Sequence, residues 1–389
     1  MKDNIIFFHN GAELYGGSKS LLSIINVLGN NYNVRVILPE SGPLEKRLKK
    51  QKIHVDVIKS YPIISIQNLK SISLLLRFIF DLIKSIYEVR VILKKFRPSI
   101  IHTNTSTIIT SSLIAKIYSI PHVWHIREIY DGHQKYLWWY YQKFINLFSD
   151  VIIANSKATA LQFQNKKKIK IIYNVLMDNK NKGISTRPLV SFKKNFNVEK
   201  NICVGMVGRI NLQRKGQSIL VNAASHLKSK YPDVKYFIIG EPYPGKEYYL
   251  NELKKLIDDK KLNDQFILTG ELVDIHSVIN SMDIMVIPSN RPESFGNVVS
   301  ESMVNGKPVI ISNIGGAPEQ IVKNKTGLIF KNEDHYDLSK KLDILLQNKN
   351  MRTRFGQDGK KLYMNRFNNK IFKNKITRTY NNILGFNGS

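Results

Sequence analysis

The chain has 389 residues, more than one ordinary hydrophobic core accommodates, and its 43% hydrophobic content excludes a disordered polymer. A single cysteine, Cys203, excludes a disulfide framework and suits a reducing cytosol. The formal net charge of +29 admits a phosphate-bearing ligand or an anionic membrane surface, although lysine is scattered along the whole chain and compositional bias accounts for part of it.

The start, "MKDNIIFFHNG", lacks the long apolar run and small-residue cleavage site of a signal peptide and reads as a first strand. Short apolar runs then follow in order: "VRVILP", "SIIHT", "HVWHI", "DVIIAN" and "KIIYN". A second series comprises "ICVGMVG", "VKYFIIG", "QFILTG", "IMVIPS" and "PVIIS". Amphipathic helical patterns lie between most of them. Strands alternating with helices predict parallel sheets covered on both faces. Between the two series, residues 181–198 are polar and without a clear period, and read as a linker. The expected organisation is therefore α/β, with two doubly wound domains, residues 1–180 and 199–372, and a cleft between them. Residues 373–389 are expected to form a helix that packs back on the first domain.

Two segments stand apart. Residues 70–97 place Arg77, Asp81, Lys84 and Glu88 on one helical stripe and leave the remainder unusually apolar. This fits a helix docked deep in the first domain, or one resting on a membrane or dimer surface. Residues 135–148, "KYLWWYYQKFINLF", carry an aromatic cluster that fits either core or the lip of an apolar acceptor site. No stretch reaches the unbroken apolar length of a membrane span.

Chemistry-bearing residues fall just after predicted strands, where ligands bind in such sheets. Gly16 and Gly17 lie between the first strand and first helix and let a ligand approach the backbone, or simply make a tight turn. They do not form G-x-G-x-x-G, so a dinucleotide site is not supported. His125 ends the "HVWHI" strand and suits a sugar hydroxyl or a proton-handling role, although a lone histidine is more often structural. Arg127 and Glu128 beside it read as a local ion pair. Arg209 and Lys215 bracket a loop before a helix starting near Gly216, an arrangement suited to a diphosphate. In "PESFGNVVSESMVNG", Glu293 falls in a loop and Glu301 within a helix starting near Gly296. The N–H groups of Gly296, Asn297 and Val298 make an anion cradle at that helix start. Two carboxylates across a glycosidic bond would suit a hydrolase. Carboxylates for hydroxyls beside cations for phosphates describe a nucleotide-sugar site instead.

These motifs resemble those of the retaining GT-B-fold glycosyltransferases of family 4. The E-x7-E spacing of "PESFGNVVSE" and the loop "GMVGRINLQRKG" carry the resemblance, with "GGS", "DVIIANSKAT", "LTGEL" and "GGAPEQIVKNKTGLIF" as further landmarks over nearly the whole chain. The resemblance implies an acceptor-binding first domain and a donor-binding second domain. Arg209 and Lys215 would hold the donor diphosphate, Glu301 the ribose, and Glu293 the transferred sugar, helped by N–H groups from Phe295 to Val298. Gly270, Glu271 and Leu272 would meet the base, His125 would sit near the sugar, and Gly16 and Gly17 would lie against the phosphates. The chain departs from the family at Asn174–Val175, where Asn-Gly is usual, and at "GEPYPGKE", which weakens any role for Glu241.

The implied reaction is metal-independent transfer with retention, from a nucleotide sugar with uridine diphosphate as the commonest carrier. The expected acceptor is a glycan or polyprenyl-linked glycan, for a cytoplasmic enzyme at the inner face of the plasma membrane; the net charge of +29 and the apolar helix around residues 72–93 add the anionic lipid surface as a further expected partner. Nucleic acid is not an expected partner, because the chain has no zinc-ligand spacing, RNA-binding aromatic signature or helix-turn-helix. A sugar-nucleotide epimerase and a non-enzymatic basic binding protein are the competing readings.

Overall fold

The structure is a computed structural model that describes residues 2–64, 71–131, 134–176 and 190–385. Residues 181–189 of the expected linker and the final residues 386–389 lie outside the described residues. The chain divides into two compact units, residues 1–178 together with 369–389, and residues 179–368.

The first unit contains strands β1 (Asn4–Phe8), β2 (Asn33–Leu38), β3 (His54–Val57), β4 (Ile100–Thr103), β5 (His122–Ile126), β6 (Val151–Ala154) and β7 (Ile169–Ile171). They form one parallel sheet in the order β3-β2-β1-β4-β5-β6-β7. Its helices are α1 (Gly16–Leu28), α2 (Pro43–Lys50), α3 (Ile72–Phe96), α4 (Thr110–Ile117), α5 (Gln134–Phe148) and α6 (Lys157–Ala160). Successive strand residues face opposite layers. Ile5, Phe7, Val36 and Ile100 pack in the α1 and α2 layer. Ile6, Phe8, Ile37 and Ile101 pack with Val89 and Leu93 of α3 and Ile114 of α4.

The second unit contains α7 (Val190–Asn195), β8 (Cys203–Val207), α8 (Gln217–Ser225), β9 (Lys235–Ile239), α9 (Tyr248–Asp259) and β10 (Phe266–Gly270). It continues with α10 (Ile275–Ser281), β11 (Ile284–Ile287), α11 (Asn297–Val304), β12 (Val309–Ser312), β13 (Gly327–Phe330), α12 (His335–Gln347) and α13 (Lys349–Arg366). The sheet is again parallel, in the order β10-β9-β8-β11-β12-β13. The last helix, α14 (Asn369–Ile383), returns to the first unit, where Phe372, Ile376 and Tyr380 are buried in the α1 and α2 core layer. Both sheets reverse direction of growth once, between β1 and β4 and between β8 and β11. Such a reversal opens a crevice at the carboxyl ends of the two strands.

Two expectations need correction. Strands β3 and β13 were absent from the sequence-based set, and each lies at a sheet edge. The apolar run is short or broken in both: "HVDV" is interrupted by Asp56 and has no fully buried residue, and "GLIF" opens on glycine. The 70–97 helix forms, capped by Ser71, whose hydroxyl accepts from the Leu74 N–H at 3.2 Å, and stopped by left-handed Arg97 before Pro98. It is not docked deep. Only Ser85, Val89 and Leu93 are buried, because a single side of its C-terminal half reaches the sheet. In α5 the aromatic cluster is split: Trp138 is buried, while Tyr136 and Tyr140 are exposed.

Candidate active site

The loops after β8 and β11 meet at the reversal point of the second sheet. After β8 the chain turns through Asn211, whose carbonyl accepts from the N–H of Lys215 at 2.8 Å. Buried Gln217 donates to the carbonyl of Arg209 at 2.9 Å and fixes the loop's start. Gly216 then caps α8 with φ of +78°, and a Cβ there would stand 1.9 Å from the carbonyl oxygen of Pro288. Only glycine permits this close, left-handed approach. It seats the start of α8 against the end of β11, and Lys215 reaches Glu293 with Nζ 2.6 Å from Oε1.

Glu293 is held from several sides. Ser289 Oγ donates to its carboxylate at 2.7 Å. The N–H of Gly316 donates to its carbonyl at 2.8 Å, and Gly315 lies so close that a Cβ would stand 2.4 Å from that oxygen. Burial alone would raise the Glu293 carboxyl, but the charge and hydrogen bond of Lys215, with Ser289, hold it below the ordinary 4.5. The carboxylate is therefore ionised and paired at neutral pH.

Two residues on, Phe295 is buried, and Gly296 after it, at φ +79°, caps α11. Buried Gln320 donates to the carbonyls of both Phe295 and Gly296, and accepts from Ser300 Oγ at 2.6 Å. These bonds tie down the carbonyls of the turn, while the first N–H groups of α11, including that of Val298, stand outside the helix's own ladder. Glu301 lies one turn further along, half-buried. Its carboxylate has no hydrogen-bond or ion-pair partner among the described residues.

Arg209 donates to the Pro242 carbonyl at 3.4 Å, its guanidinium lies 4.9 Å from the centre of the Tyr243 ring, and it stands 4.0 Å from Glu271. Glu271 is solvent-exposed, so that pairing is weak. Gly270 ends β10, with Glu271 exposed and Leu272 half-buried after it. In the second unit Lys215, Glu293 and Gly296 are thus neighbours at the end of β11, Arg209 reaches Glu271 at the end of β10, two strands from β8, and Glu301 lies within α11.

In the first unit, Gly16 and Gly17 open α1 and are exposed. A Cβ on Gly17 would stand 3.3 Å from the ring of buried His9. His125 is the last-but-one residue of β5 and fully buried. Burial, then the charge of Arg127, hold its pKa well below 6.5, so the ring is neutral. Its Nε2 is a buried polar atom with no hydrogen-bond partner among the described residues. Arg127 does not pair locally with Glu128 through its side chain. Its guanidinium donates to Asn104 Oδ1 at 2.8 Å and Asn174 Oδ1 at 2.7 Å, and Glu128 instead accepts from Thr105 and Ser106. Asn104 in turn donates to His9 Nδ1 at 3.1 Å, which leaves His9 Nε2–H to donate to Ser18 Oγ at 3.0 Å. Sequence reasoning missed His9, Asn104, Ser289 and Gln320. His9 and Ser289 end predicted strands and Asn104 follows one, the one signal that marks them.

Residues 15–176 match Glycosyltransferase Family 4, and residues 189–362 match Glycosyl transferases group 1. The chain is 30% identical over 189 residues to the capsular polysaccharide biosynthesis glycosyltransferase CapM of Staphylococcus aureus, 47% of each protein. It is 26% identical over 264 residues to an uncharacterized glycosyltransferase of Methanocaldococcus jannaschii, 62% of each. The matched stretches thus span about half to three fifths of these relatives' length. Among solved structures, Anabaena HepE in complex with UDP and glucose superposes with a TM-score of 0.81 at 22% identity, covering 96% of this chain and 98% of that one. Staphylococcus aureus TarM superposes with a TM-score of 0.73 at 15% identity, covering 97% and 100%. At these identities the likeness establishes the fold, which is GT-B. The chain is thus built of a Glycosyltransferase Family 4 domain followed by a Glycosyl transferases group 1 domain.

Proposed function

We propose that the protein transfers a sugar from a nucleoside-diphosphate sugar to a hydroxyl of a glycan acceptor, with retention and without a metal ion. The observation that carries this reading is the pairing of Lys215 with Glu293 beside the N-terminus of α11, with Arg209 on the same loop as Lys215 and Glu301, whose carboxylate has no partner among the described residues, within that helix. Arg209 and Lys215 neutralise the diphosphate, aided by the N–H groups at the start of α11. Glu301 accepts from the ribose hydroxyls. Glu293 accepts from hydroxyls of the transferred sugar, and Gly270, Glu271 and Leu272 face the base. In the first unit, Gly16, Gly17 and His125 mark its ligand-binding edge. His125, held neutral, serves there as a hydrogen-bonding group rather than a proton relay.

Glu293 is tied to Lys215, which disfavours it as a free nucleophile. In the reaction we infer, the acceptor oxygen bonds to the anomeric carbon on the face from which the diphosphate leaves. The carbon–oxygen bond to phosphate breaks with its electron pair on the diphosphate, and the acceptor's proton passes to that phosphate oxygen. The work of catalysis is then leaving-group stabilisation and positioning. HepE has been solved with UDP-glucose, which supports a UDP-sugar as donor. The name of CapM supports a polysaccharide acceptor, here a lipid-linked glycan of the cell surface met from the cytoplasmic side.

The test begins with thermal stabilisation by a panel of nucleotide sugars. Glu301→Ala and Arg209→Ala should each lower kcat/KM for the stabilising donor by about 10²–10³. Full transfer by either variant would overturn the assignment, and a new sugar nucleotide formed without acceptor would replace it with an epimerase.

A further inference from the structure

We propose that the outer side of the α3, α4 and α5 layer docks on an anionic phospholipid bilayer. This goes beyond the transferase reading and does not depend on it. All three helices cover the same face of the first sheet. α3 and α4 pack over Ile6, Phe8 and Ile101, and α5 packs over Trp124 and Ile152. Thr103, two residues after Ile101, pairs with Trp124, which places both sets on one side.

Along α3, Ile72, Leu76, Phe80, Ile83, Tyr87 and Val91 recur every three or four residues, so they form one stripe. All are exposed: Ile72 by 78%, Phe80 by 67%, Ile83 by 63% and Tyr87 by 67%. The stripe lies away from Ser85, Val89 and Leu93, the residues turned into the core. Ile117 at the end of α4 is 61% exposed. On α5, Tyr136, Trp139, Tyr140 and Leu147 are exposed, and Lys143 Nζ lies 3.6 Å from the Trp139 ring centre. Single exposed apolar residues are ordinary, but stripes on neighbouring helices of one layer are not.

The charge selects the occupant. The described side chains of these helices include seven basic residues (Arg77, Lys84, Arg90, Lys94, Lys95, Lys116 and Lys143) against Asp81 and Glu88. Both acids already stand within 4.0 Å of a cation one turn away. Arg90, Lys94 and Lys95 have no acid within ion-pair reach among the described residues. A second copy docking through this same face would juxtapose like charges. A bilayer with anionic headgroups accepts the cations, takes the apolar stripe below them, and suits tyrosine and tryptophan at the boundary. Among the described residues no helix is long and apolar enough to cross a membrane, and the charges along α3 suit a helix lying in the surface plane.

Flotation of the full chain with phosphatidylcholine vesicles, with and without phosphatidylglycerol, tests this. Binding should require phosphatidylglycerol and fall as salt rises. Phe80→Ser with Ile83→Ser should reduce the bound fraction by about tenfold or more, and so should Lys94→Glu with Lys95→Glu. These side chains are exposed, so circular dichroism and the unfolding temperature should be unchanged. The charge variant decides the matter if the apolar one misfolds. Absence of flotation, flotation indifferent to both variants, or a dimer in light scattering that Phe80→Ser dissociates would each overturn the proposal.

Discussion

The pairing of Lys215 with Glu293 has a pH signature. Glu293 has a native pKa held below 4.5, so the pair's contribution to stability is complete above that value and fades as the pH falls through the native pKa. Glu293→Gln removes the charge and leaves Lys215 half-buried without its carboxylate. Thermal unfolding should show this variant about 1–3 kcal/mol less stable than the parent at neutral pH. The difference should shrink progressively below pH 4.5, where the parent's own carboxylate takes up its proton. A gap that stays constant to acid pH would show that the pair contributes nothing through charge. Both residues were legible in the sequence as polar groups after strands. Their contact was not, because 78 positions separate them and only the seating of α8 on β11 joins them. Gln320 was less legible still: a glutamine inside a glycine-rich turn has no chemistry until the carbonyls it holds are in place.

Elements of strong period were legible. Central strands such as β1, β4 and β12 announced themselves as short β-branched runs, whereas β3, interrupted by Asp56, and β13, opening on glycine, did not. Helix α3 was legible as a helix, but the sequence left open whether it docks or lies on a surface, since an apolar stripe has the same period whether it meets a sheet or a membrane. Junctions between elements depend on glycine, and Gly216 tests this. Gly216→Ala adds a Cβ 1.9 Å from the Pro288 carbonyl at φ +78°, so α8 must move off β11. Denaturant unfolding should show a loss of roughly 2–4 kcal/mol, and Lys215 should lose its purchase on Glu293. Gly245 is the control. It has the same φ of +78°, but no atom lies within 4 Å of its Cβ position. Gly245→Ala should cost only about 1–2 kcal/mol, from left-handed backbone alone.

At the scale of the molecule, the chain's last helix belongs to the unit in which the chain began. Phe372, Ile376 and Tyr380 of α14 are buried among Ile5, Phe7, Leu21 and Val36, and Tyr380 OH lies 2.8 Å from Nδ1 of buried His102. Among the described residues, the second unit's core layer around Leu220, Leu253 and Leu342 includes no residue of α14. Filling that space with smaller side chains should therefore act on one unit. Ile376→Ala should destabilise the first unit by roughly 2–5 kcal/mol, and Phe372→Ala by a similar amount. In calorimetry the transition of the first unit should move down while that of the second holds its temperature. Binding of a nucleotide sugar, assigned to Arg209, Glu293 and Glu301, should raise the second unit's transition in the variants as in the parent. Two transitions that fall together would mean that the units unfold as one cooperative body, with α14 acting on both. The outcome also bears on the membrane-docking face, which lies across the first sheet from α14. If the first unit loosens separately, vesicle binding should weaken with its unfolding while nucleotide binding persists.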